Sequence, residues 1–113
     1  MNIKNIKTKC TKQSFSKCIG VCKTYSPIAT VYAEILNSSE EIIDFKVNIL
    51  LDDFSEGDYT TDFVCRKSDG SVMVRECIER NNIQRPKNAR LLDASRNYWI
   101  ARGIVDWGVV TNE

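Results

Sequence analysis

The chain has 113 residues, 42% of them hydrophobic and 27% charged, with a formal net charge of +1 and no histidine. That length holds one domain with one modest core and not two. No apolar run reaches the ~18 residues that span a bilayer, and the missing imidazole excludes Ser-His and Cys-His nucleophiles, leaving carboxylates, lysine or an oxygen-bound metal for any chemistry.

The opening stretch, "MNIKNIKTKC", lacks the apolar centre of a signal peptide, so the expected location is cytoplasmic, with no membrane partner. In that compartment the five cysteines stay reduced. Cys18-x3-Cys22 is a single pair at the wide end of zinc-knuckle spacing, and a structural zinc site wants a second pair or histidines. The thiols read better as small buried or half-buried residues. Charge is segregated along the chain. Residues 1–24 hold six lysines and no acid, 34–58 are acidic, and 75–102 turn basic through Arg75, Arg80, Arg85, Lys87, Arg90, Arg96 and Arg102. Two basic segments flanking an acidic one suit nucleic acid if the fold places both on one face, and are otherwise solvated surface.

In chain order, residues 1–12 read as a basic arm, followed by a short strand in "KCIGVCKTY". Ser26 is a good N-cap and Pro27 suits the first helical position. Ile28, Val31, Tyr32, Ile35 and Leu36 then recur at helical spacing as one apolar stripe, which "NSS" ends. In "IIDFKVNILLDD", Ile43, Phe45, Val47 and Ile49 alternate as in a half-buried strand. The segments "YTTDFVCRK" and "SVMVRECI" read as strands joined by "SDG", a hairpin signal. After a loop, Pro86 opens a second helix running to about Arg102 and closed by Gly103, with Leu91, Leu92, Ser95, Tyr98 and Trp99 as its stripe. "VDWGVVTN" makes a last strand. The expected fold is α/β (α+β): one domain over 1–113, a mixed central sheet flanked by two helices.

In that arrangement Asp62, early in one strand of the hairpin, and Glu76, late in the next, come to the same end. Two converging acids make a candidate Mg²⁺ site, because this ion takes one or two carboxylates and fills its remaining positions with water and phosphate. Unrelated surface acids paired with Arg75 or Arg80 are the plainer alternative. Tyr98, Trp99 and Trp107, at helical and strand spacing, read as core rather than as a platform for bases.

From "IIDFKV" through "YTTDFVCRKSDGSVMVRE" to "RLLDASRNYWIARGIVDWGVVTNE", the chain resembles the nuclease domain of TnsA-type transposon endonucleases, in the PD-(D/E)XK superfamily. The "TDF" strand, the "DG" turn, the glutamate near the strand end and the helix-to-strand join stand in the family's order. The resemblance implies a restriction-endonuclease-like sheet and Mg²⁺-dependent DNA cleavage. By position Asp62 matches the family aspartate and Glu76 its Glu/Gln, while the lysine expected two residues later falls on Ile78. The helical glutamate falls on Ala29; Glu34, the only acid of that helix, is the substitute candidate, although it lies opposite the stripe and should face water. A branched aliphatic neither orients water nor offsets charge at a phosphate, so the expectation is a degenerate nuclease fold that binds DNA or a nucleoprotein partner. Such a small stand-alone protein suits a phage or mobile element, where obstructing a host nuclease such as a CRISPR effector is one job. The alternative is an active Mg²⁺ endonuclease using Asp62, Glu76 and Glu34 with a relocated cation. Phosphate contacts are expected from Lys9 and Lys12 in the arm and from Arg75, Arg80, Arg85, Lys87 and Arg90. A homodimer with a structural role is a third reading.

Overall fold

The computed structural model describes residues 10–112. A mixed four-stranded sheet carries one helix on each face, the α+β architecture the sequence implies. In chain order the elements are β1 (Thr11–Gln13), β2 (Cys22–Thr24), α1 (Pro27–Ser38), β3 (Ile42–Leu50), β4 (Thr60–Lys67), β5 (Val72–Cys77), a 3-10 turn (Arg80–Asn82), α2 (Pro86–Ile100) and β6 (Asp106–Val110). Strands β3, β4 and β5 form an antiparallel meander, and β6 adds parallel to β5 after α2 has crossed over. No described helix is long and apolar enough to cross a membrane.

Local signals account for most boundaries. The Ser26 hydroxyl accepts the Ala29 N–H at 3.2 Å, and Pro27 occupies the first helical turn of α1. At the "SDG" turn Gly70 takes φ 89°, and the Lys67 N–H donates to the Ser71 carbonyl at 2.8 Å, closing the β4–β5 hairpin. Gly103, at φ 84°, follows the end of α2.

Four expectations need correction. Thr11 and Lys12 are not an arm: they belong to β1, which pairs with β2 so that Lys12 lies opposite Lys23. The remainder of the expected arm, residues 1–9, lies outside the described residues. The strand expected across "KCIGVCKTY" is confined to Cys22–Thr24, because residues 17–19 instead run along β3: Phe45 N–H donates to the Lys17 carbonyl and Ile19 N–H to the Phe45 carbonyl, both at 2.9 Å.

The buried stripe of α1 is Ala29, Ala33 and Leu36, while Val31 and Ile35 are 55% and 56% exposed. The segment carries two overlapping apolar stripes. The one with small alanines lets the helix settle close to the sheet, where Tyr32 packs edge-on against Phe63 with ring centroids 5.3 Å apart. Finally, Ile43 points outward. A bulge between Ile42 and Asp44 shifts the alternation so that Ile42 and Phe45 go inside.

Two cores result, one on each face. Phe45, Phe63, Cys65 and Met73 pack under α1; Leu51, Tyr59, Val74, Leu91 and Trp99 pack under α2. Within β3, Val47 packs against the first core and Ile49 against the second. Between them Asn48 adopts the left-handed φ of 53°, and the strand changes the face it presents. Thus Tyr59 and Thr61, which lie across from this end of the strand, are turned toward α2.

Candidate functional site

The backbone ladder of the β4–β5 hairpin ends at the Phe63–Arg75 pair. Beyond it the two candidate carboxylates take over the pairing. The Asp62 N–H donates to Glu76 Oε1 at 2.9 Å, and the Cys77 N–H donates to Asp62 Oδ2 at 2.8 Å. Each acid therefore holds a main-chain donor of the opposite strand. The hairpin does bring Asp62 and Glu76 together, and both are buried, with side chains 5% and 0% exposed.

Glu76 is the centre of a wider network. Its Oε2 accepts hydroxyl hydrogen bonds from Tyr59 at 2.8 Å, Thr61 at 3.1 Å and Ser95 at 2.6 Å. Two of those hydroxyls are themselves oriented. Thr61 Oγ1 accepts from the Trp99 indole at 3.0 Å, and Ser95 Oγ accepts from the Trp107 indole at 3.1 Å. An indole N–H only donates, so each hydroxyl proton is left to point at the carboxylate.

With the Asp62 N–H this gives Glu76 four donors, three converging on Oε2 and one on Oε1. Burial and the nearby Asp62 carboxylate push its pKa up to about 7, against the hydrogen bonds from Ser95, the Asp62 N–H and Tyr59, which pull it down. Tyr59 is shifted upward by burial and then by the Glu76 charge, so it remains a donor throughout the physiological range.

This donor set does not fit a resident Mg²⁺. The ion keeps several waters and needs carboxylate oxygens facing solvent or substrate, whereas Glu76 is enclosed by the side chains it binds. Among the described residues, no three His, Cys, Asp or Glu side chains gather into a metal-binding group. Ile78, where the family resemblance calls for lysine, is buried at 6% exposure. Ala29 is buried on the sheet-facing side of α1, and Glu34 is exposed on the same helix, accepting from Gln13 Nε2 at 3.3 Å. Glu34 is thus not brought to Asp62 and Glu76.

The basic candidates divide into committed and exposed groups. Arg75 lies across β6, donating to the Val74 and Asp106 carbonyls at 2.9 and 3.1 Å and to Asp106 Oδ1 at 2.8 Å. Gly108 leaves room for it, since a Cβ there would come within 3.3 Å of the guanidinium carbon. Arg90 donates to Glu56 at 2.8 Å. Lys12, Arg80, Arg85 and Lys87 are exposed, whereas Lys9 lies outside the described residues.

Both basic segments border Ser26 at the start of α1. On one side Ser26 shares a surface cleft with Thr11 and Thr24 of the β1–β2 ribbon; on the other it shares one with Cys77, Ile78, Asn82 and Asn88. The positive end of the α1 dipole lies between them.

Sequence reasoning missed the hydroxyl and indole partners of Glu76. Ser95 was a usable signal, because a polar side chain within an apolar stripe must find a buried partner. Thr61 and Tyr59 gave none, because their direction depends on the turn of the strands near Asn48. The aromatic residues Trp99, Tyr98 and Trp107 do pack in the core, as their spacing implies. No protein-family model matches the chain, and no curated protein matches it.

Proposed function

We propose that this is a nuclease-fold protein, TnsA-like in descent, which no longer hydrolyses phosphodiesters and acts by binding DNA or a nucleoprotein partner. One observation supports the loss of chemistry: Glu76, the acid that would hold the metal, is buried and takes three hydroxyl donors on Oε2 and a main-chain N–H on Oε1. Burial of Ile78 in place of a cation supports the same reading. The binding role is supported by the exposed cations of the two basic segments whose neighbouring residues border Ser26, Lys12 and Lys23 in one and Arg80, Arg85 and Lys87 in the other, with Glu79 the one charged residue lining the clefts themselves. A nuclease-derived surface of this kind would suit occlusion of a host nucleoprotein, a CRISPR effector being one example.

The test has two arms. Supercoiled plasmid incubated with Mg²⁺ or Mn²⁺ is expected to remain uncut. Cutting that vanishes in Asp62→Ala and Glu76→Ala would instead establish the active endonuclease. In the second arm, fluorescence anisotropy with a labelled duplex is expected to give sequence-independent binding that weakens steeply as salt rises. Absence of binding at low salt to duplex and single strand alike would remove the nucleic-acid half of the proposal.

A further inference from the structure

The two edges of the sheet are treated differently. The β3 edge is covered where residues 17–19 pair with Phe45, and the Asn48 side chain donates to the Lys23 carbonyl at 2.8 Å. The β6 edge has β5 as its only strand neighbour among the described residues. Open edges are ordinarily guarded by a lysine, a proline, a bulge or a covering segment. Strand β6, "DWGVV", carries one charge, and Asp106 turns inward to Lys67 and Arg75 at 3.0 and 2.8 Å.

Apolar surface lies beside this edge on both faces. On the α1 face, α1 sits over β2 and β3 rather than over β6, leaving a cleft of about 340 Å³ lined by Ile28, Val31, Tyr32, Ile35 and Val110. Here lie the two large apolar residues that α1 leaves exposed. On the α2 face Val109 is 37% exposed, and Val105, just before the strand, is 80% exposed.

We propose that the β6 edge and the α1 cleft beside it form the interface of a two-fold dimer of this chain. Antiparallel pairing of β6 with its copy extends the sheet to eight strands and satisfies the open backbone groups of both edges at once. The axis stands perpendicular to the sheet, so both α1 helices lie on one face and both α2 helices on the other. Val31 and Ile35 then approach their own copies, and Val109 approaches its copy on the opposite face. No outward charge on β6 opposes its twin, because Asp106 is already neutralised within its own subunit. The four large exposed side chains contribute about half of the ~600–800 Å² that a specific interface buries on each side, leaving the rest to the strand edge and the cleft walls. The surface adjoins the clefts around Ser26, sharing Ile28 with one and Val31 with the other, so dimerisation would bring the exposed basic residues of both subunits to one extended ligand and raise its effective affinity.

Light scattering after size-exclusion chromatography of the full chain, at ~10–100 µM, is expected to give twice the 12.9 kDa subunit mass. V31E/I35E, which alters only exposed positions, is expected to give a monomer with an unchanged far-UV spectrum and a melting point that no longer depends on protein concentration, as is Val109→Lys. The pair I19E/V21E changes exposed apolar residues outside this interface, 52% and 61% exposed, and is expected to leave the dimer intact. A monomeric wild type overturns the proposal. So does a monomer that dimerises only after removal of residues 1–9, because the cleft would then be covered by the chain's own start. Dissociation by I19E/V21E and not by V31E/I35E also overturns it. None of these outcomes depends on DNA binding, so this proposal and the functional one stand or fall separately.

Discussion

Glu76 decides how the site behaves, and its surroundings give opposite expectations for two kinds of residue. An acid held ready for catalysis is commonly a stability liability, and its removal stabilises the protein. An acid that satisfies four buried donors is the reverse. Glu76→Ala leaves three hydroxyls and a main-chain N–H unmet, and is expected to destabilise by about 3 kcal/mol or more in urea melts. Glu76→Gln removes the charge but places an amide among donors, and is expected to lose about 1–3 kcal/mol. A more stable alanine variant would return Glu76 to the catalytic reading.

The same residue sets a pH dependence. Its folded pKa, about 7, lies above the ordinary glutamate value of about 4.3. Between those values the folded state binds more protons, so stability falls as pH rises through the window and levels off above it, by up to about 4 kcal/mol. Asp106 acts in the opposite sense. Hydrogen bonds from Lys67 and Arg75 hold its carboxyl below the usual range, so its contribution is present above pH ~4 and is lost in stronger acid. Stability is therefore expected to be greatest near pH ~5, and Glu76→Gln should flatten the decline toward pH ~8, as thermal melts across that range would record.

Among the elements, α1 shows both the reach and the limit of sequence reasoning. Its start was legible because capping is local: Ser26 and Pro27 act within one turn, and Ser26→Ala is expected to cost about 1 kcal/mol in chemical denaturation. Its buried face was not legible, since Ile28, Val31 and Ile35 form as good an apolar stripe as Ala29, Ala33 and Leu36. Only the closeness of the sheet selects the small side chains. The stripe of α2 was read correctly because Leu91, Leu92, Ser95 and Trp99 have no rival on that helix. In β3 the alternation failed at the Ile42/Asp44 bulge and again near Asn48, where backbone irregularities change which side chains go inward. The juxtaposition of Asp62 with Glu76 followed from antiparallel geometry alone. The enclosure of Glu76 by Tyr59, Thr61 and Ser95 did not, because those partners come from two segments far apart in sequence, the start of β4 and the middle of α2.

For the molecule as a whole, charge placement predicts the binding behaviour. Phosphate contacts release counterions, and log affinity is expected to fall with log salt by about 0.9 for each contact. If Arg85 and Lys87 each hold one phosphate, R85E/K87E should reduce that slope by about 2 and weaken all sequences alike in salt-dependent anisotropy titrations. Arg75→Ala belongs to a different class: it frees Asp106 and should lower stability rather than the salt slope. The Glu76 network also binds the parts into one unit. It joins β4, β5, α2 and β6, and the chain's two tryptophans are both tethered to it through a hydroxyl. Both indole protons are held by hydroxyls of the network, so both should exchange with deuterium slowly, and that of the buried Trp99 more slowly than that of the half-buried Trp107.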